Sequence, residues 1–103
     1  MAVLILEAAG RRLDEIYLYT RDQWGEAQAV RFVTGLFDSF DQIESHAILS
    51  RPVPAEYGID GFFFRYEQHF VYWRRLSGGS IGVVTILHAR MHQMGRLRED
   101  FGA

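Results

Sequence analysis

The chain has 103 residues, 49% of them hydrophobic and 23% charged, which fits a single globular domain spanning 1–103 and excludes a disordered or fibrous protein. It contains no cysteine, so disulfides, thiolate metal sites and cysteine nucleophiles are ruled out. A net charge of −2 argues against bulk nucleic-acid binding by the chain alone, which needs a strongly basic surface. The charge is uneven: residues 1–45 hold four arginines against eight acids, residues 46–103 seven against five, and there is no lysine. Arginine forks suit carboxylates and phosphates, although a GC-rich genome gives the same bias.

The opening apolar run is short and meets Glu7 at once, so neither a signal peptide nor a membrane span is expected, and a cytoplasmic protein is. Val3 to Glu7 reads as a strand ended by Gly10. From Arg12 the period turns helical, with Leu13, Ile16, Tyr17, Thr20 and Trp24 recurring. A break at Trp24-Gly25 precedes a second helical stripe of Ala27, Val30, Val33, Phe37 and Phe40, continued by Ile43 or Glu44. Such a helical hairpin cannot bury both stripes alone and needs a sheet.

Ser50 to Gly61, with Pro52, Pro54 and two glycines, reads as irregular. Three strands follow: Phe62–Tyr66, a turn at Glu67-Gln68, a strand over His69–Arg74, the hairpin signal Ser77-Gly78-Gly79-Ser80, and Ile81 to about Leu87. The last is apolar on both faces, as a covered central strand is. Gln93 to Phe101 reads as a short helix or an irregular tail. The order β-α-α-β-β-β predicts an α+β fold, an N-terminal helical hairpin packed on one face of a small antiparallel sheet. Among the strand aromatics, Phe62, Phe64, Phe70 and Tyr72, or their alternates, are assigned to the core.

Candidate chemistry is sparse. His88 and His92 stand four apart, but the residues before them are strand-like and a third ligand is wanting, so no metal site is assigned. His88 with Arg65, Arg74, Arg90 and Tyr66 offers residue types for phosphodiester cleavage: a proton-transfer group and cations for phosphate charge. The bland alternative has His88 closing a strand and Arg65 and Arg74 paired with acids such as Glu67 or Asp60. Ser-Gly-Gly-Ser lies between strands and lacks the lysine of a P-loop. Tyr19 falls off the first helical stripe, so exposure there would mark a partner surface.

The whole pattern resembles the RelE/ParE superfamily of toxins, over essentially the full length. The resemblance is carried by Leu13-Asp14-Glu15-Ile16-Tyr17, Trp24-Gly25-Glu26-Ala27-Gln28-Ala29, Pro54-Ala55-Glu56-Tyr57-Gly58, Arg65-Tyr66, Tyr72-Trp73-Arg74 and Ile86-Leu87-His88-x-Arg90-Met91. The last motif is similar to the ParE branch. The resemblance implies a type II toxin–antitoxin system, a co-encoded antitoxin as partner, DNA gyrase as target, no catalytic residues and no cofactor. Target contact is then expected from Arg65, Arg74, His88, Arg90, Arg96 and Arg98. Antitoxin contact is expected from Tyr17, Tyr19, Trp24 and Trp73. The RelE-like alternative, a ribosome-dependent mRNA endonuclease, would use His88 as acid/base and Arg65 as phosphate ligand. Against it, the chain lacks lysine and a C-terminal tyrosine, and its pI is acidic. A third reading is an orphan that binds its antitoxin without toxicity.

Overall fold

Strand gives way to helix five residues earlier than the sequence predicts. The structure, a computed structural model, describes residues 3–45 and 47–102. Strand β1 is only Val3–Ile5, and helix α1 runs Glu7–Trp24. Gly10 therefore lies inside the helix instead of ending the strand. Ala8 and Ala9, strong helix formers buried against the sheet, outweigh the cost of about 1 kcal/mol for an interior glycine. At Gly25, φ is +94°, a conformation glycine adopts without strain, and this one residue separates α1 from α2, Glu26–Glu44.

The buried side of α2 is not quite the predicted stripe. Ala29, Leu36, Phe40 and Ile43 face inward, whereas Val30 and Phe37 are exposed. The helix is apolar on more than one side, and periodicity could not choose between the two. Gly35 on α2 leaves the space into which the Tyr66 hydroxyl projects.

The sheet has five strands in the order β1-β5-β4-β3-β2, with β2 at Arg51–Pro52, β3 at Phe62–Tyr66, β4 at His69–Arg75 and β5 at Ile81–His88. It is mixed: β1 runs parallel to β5 and all other pairs are antiparallel. β2 falls within the segment expected to be irregular; as a two-residue edge it tolerates Pro52, which has no N–H to donate. The β3–β4 turn puts Glu67 at φ +53°, and the β4–β5 turn puts Gly78 and Gly79 at +81° and +86°.

Register assigns the aromatics to faces. Phe64 pairs with Val71, and Phe62 with Trp73, whose ring stacks on it at 4.7 Å. These side chains join Leu13, Leu36 and Phe40 in the core beneath the hairpin. Phe63, Phe70 and Tyr72 lie on the other face with Leu87. Phe62 and Phe64 thus do not share a core with Phe70 and Tyr72, as had been expected. Both faces are filled because a third helix, α3 at Gln93–Asp100, covers the second face with Leu97. The helices are not confined to one side.

A polar staple joins the two sides. The Arg12 guanidinium on α1 donates to Asp100 Oδ2 on α3 at 3.0 and 3.3 Å, and the Thr85 hydroxyl of β5 donates to the same oxygen at 2.6 Å. Burial works against the arginine's charge, but the Asp100 bonds outweigh it and hold its pKa above the usual value. At the other end of α3, Gln93 accepts from the Tyr72 hydroxyl and donates to the carbonyls of His88 and Met91.

Candidate functional site

A cleft of ≈ 490 Å³ opens between the tip of the helical hairpin and the ends of β4 and β5. Ile16, Tyr19 and Trp24 of α1 form one wall, Phe32 of α2 another, and His69 and His88 lie on the sheet side. The α1 residues share this wall because they recur at helical spacing. Tyr19 is 65% exposed and Trp24 72%, a large apolar area left to solvent beside an open cavity. Tyr17 sits lower, half-buried, donating its hydroxyl to Glu26 across the hairpin.

Cross-strand pairing places His69 opposite His88, with ring centroids 5.1 Å apart and planes nearly perpendicular. Phe32 meets the His69 ring edge-on at 5.4 Å. His69 Nδ1 is buried with no hydrogen-bond partner among the described residues. Burial first, and then the neighbouring His88, push its pKa down to about 4. His69 is therefore neutral at physiological pH. His88 Nδ1 accepts from the Arg90 backbone N–H at 3.0 Å.

Because His69 takes up a proton more readily when unfolded, its contribution is fully present above about pH 6.5 and lost as pH falls toward 4. With allowance for solvent at the cleft, the loss is on the order of 1–3 kcal/mol. Denaturant unfolding of wild type and His69→Phe between pH 7 and 4 should give curves that diverge in that window, the variant losing less. Parallel curves would refute the assignment.

The candidate target residues divide between two surfaces. Arg65 pairs with Phe70 and Phe70 with Leu87, whereas His88 is opposite His69; Arg65 and His88 thus project from opposite faces of the sheet. The register does not bring them together for the nuclease role considered for that pair. Arg65 donates to the Glu67 carbonyl at 2.9 Å and to Gln68 Oε1 at 3.2 Å, and lies over the Phe70 ring at 5.6 Å. Arg74 lies over the Phe101 ring at 5.5 Å. Neither forms an ion pair among the described residues, contrary to the expected pairing with Glu67 or Asp60. Arg96 and Arg98 are exposed on either side of buried Leu97, and Arg90 is exposed in the segment before α3. No three or more of His, Cys, Asp and Glu gather as a metal site among the described residues.

Trp73 needs correction. It is only 5% exposed, stacked on Phe62, and its indole N–H donates to Ser50 Oγ at 3.0 Å, so it is core and offers no partner surface. Phe32, Met91 and His69 line the cleft but were not among the expected contact residues. The buried Arg12 was likewise not among the expected residues, and nothing local pointed to its partner Asp100.

Comparison with protein families gives a match to the ParE toxin of the type II toxin–antitoxin system, parDE, over residues 3–93. The chain belongs to the ParE toxin family. Among solved structures, a chromosomal ParDE toxin–antitoxin system from P. aeruginosa superposes with a TM-score of 0.66 at 20% identity, covering 85% of this chain and 95% of that one. The likeness to that ParDE protein establishes the shared fold. No curated protein matches. The ParE match ends at Gln93, so nearly all of α3 lies beyond it. No helix among the described residues is long and apolar enough to cross a membrane.

Proposed function

We propose that this ParE-family chain is a non-enzymatic toxin that inhibits DNA gyrase and is neutralised by a co-encoded antitoxin seated on the hairpin–sheet cleft. The observation that carries the antitoxin site is the exposure of Trp24 and Tyr19 over an open apolar cleft. A partially disordered antitoxin segment folding into it would offset its ordering cost with buried apolar area. Gyrase as target rests on the ParE family, and the arginines around α3 are the first residues to test.

The test combines two assays on the purified chain: supercoiling by gyrase, and cleavage of translated mRNA. Loss of supercoiling with intact transcripts is the expected result. Transcripts cut in codon register with normal supercoiling would make the chain a ribosome-dependent endonuclease. Tight antitoxin binding with no effect in either assay, and none on growth, would make it a non-toxic orphan. Trp24→Asp should weaken antitoxin binding at least tenfold while leaving the melting temperature within a few degrees, since an exposed side chain contributes little to stability.

A further inference from the structure

The charge of this protein is segregated by the fold. With buried Arg12 set against Asp100, the hairpin residues 7–44 hold three arginines against eight acids, and residues 47–102 hold seven against four. The hairpin covers one face of the sheet and α3 the other. The hairpin side is therefore acidic, while Arg51, Arg65, Arg74, Arg96 and Arg98 stand on the α3 side with Glu99; Arg75 lies over Trp73 on the hairpin side.

The basic side has a defined geometry. Arg51 pairs with Phe63, and Arg65 and Arg74 project from the face that carries Phe63, Phe70 and Tyr72. α3 runs across this face from Gln93, beside Tyr72 and His88, to Phe101 beneath Arg74. Arg65 and Arg74 thus stand near its two ends. Strand geometry separates them by roughly 14 Å: four residues along β4 and one step across to β3. Both guanidinium groups rest on aromatic rings and have no carboxylate partner among the described residues. Exposed Arg98 lies between them on α3, while Arg96 is within 3.9 Å of Glu99.

We infer that the face formed by Arg51, Arg65, Arg74 and Arg98 around α3 docks on the phosphate backbone of duplex DNA. Two arginines without a carboxylate partner among the described residues, on backbone positions roughly 14 Å apart with a short helix across the same face, suit the B-form major groove, about 12 Å wide. Arg65 would exchange its bonds to the Glu67 carbonyl and Gln68 for phosphate. The A-form RNA major groove is too narrow for side chains to enter. Stacking on aromatics holds the forks in place, so little side-chain order is lost when phosphate is met. The acidic hairpin, on the far side of the sheet, orients the molecule by repulsion. The basic face is defined by charge and register, independently of the proposed gyrase target.

The test uses the purified full chain and a fluorescein-labelled 20-base-pair DNA duplex, followed by anisotropy from 20 to 150 mM NaCl. Four phosphate contacts predict a slope of log K against log salt of about −3.6, at about −0.9 per contact. Arg65→Glu/Arg74→Glu should lose at least half of that slope. Arg21→Glu/Arg31→Glu makes the same charge change on the hairpin and should keep it. Circular dichroism establishes that both variants are folded. Equal slopes for the two variants, no binding at 20 mM NaCl, or tighter binding of a 20-base-pair RNA duplex or a polyglutamate peptide would each overturn the inference. Gyrase is absent from this assay, so its failure leaves the supercoiling experiment to decide the proposed function independently.

Discussion

Asp100→Ala is expected to destabilise the fold by about 3 kcal/mol, because it removes the buried partner of the Arg12 guanidinium. The Arg12 and Asp100 side chains are 10% and 3% exposed, and Thr85 directs its hydroxyl to the same carboxylate oxygen. Removing the carboxylate leaves Arg12 with only the more exposed Glu15, 3.4 Å away, and the Thr85 hydroxyl without its acceptor. Urea unfolding should register the loss as a lower midpoint with an unchanged slope. Asp100→Asn should recover part of it by accepting one bond. Arg12→Met/Asp100→Leu, which removes both charges and retains volume, should cost much less than either single change, since desolvation cancels much of what a buried pair contributes. If Asp100→Ala unfolds at the wild-type midpoint, the staple does not hold α3.

Trp73→Ala should cost about 3–5 kcal/mol, the range for emptying a large aromatic from a packed core. The ring lies on Phe62, its N–H satisfies Ser50, and the Arg75 guanidinium sits 5.7 Å above it. Trp73→Phe, which preserves most of the stacking but leaves the Ser50 hydroxyl without its donor, should cost roughly half as much. Trp24→Ala provides the contrast within the same protein. Near-equal melting temperatures are expected for it and wild type, whereas Trp73→Ala should melt well over 10 °C lower. Equal effects of the two tryptophans on melting would contradict the burial described here.

Most of the architecture was legible because local signals agreed with it. Alternation in Phe62–Tyr66, the glycine pair at 78–79 and helical spacing from Leu13 to Trp24 each pointed to the element observed. The failures have physical causes. Gly10 was read by its propensity, which burial of Ala9 overrode. The α2 stripe was ambiguous because Val30 and Phe37 mimic a buried face one residue around. Alternation identified two faces on each strand, but only register shows that Arg65 and His88 diverge or that Phe64 meets Val71. In the candidate site, the exposure of Tyr19 was accessible to sequence reasoning because it departs from the stripe, whereas Trp24 lies on the stripe and reads as helix–sheet packing, yet is exposed. Trp73 was misplaced because a tryptophan in an aromatic-rich strand looks alike on either face. The Arg12–Asp100 contact joins residues 88 apart, beyond the reach of any local rule.

The parallel pairing of β1 with β5 sets an order on synthesis. Val3 cannot find its partner Ile81 until most of the chain has left the ribosome. The helical hairpin is finished at Glu44, yet the strand against which α1 packs ends at His88. At about 5–20 residues per second, the apolar stripes of the hairpin wait some 2–9 seconds for their cover. During that interval the nascent chain presents Leu13, Leu36 and Phe40 to whatever is nearby. Anything that binds these stripes would meet the hairpin before the sheet does, so the timing of translation leaves the hairpin open to early capture.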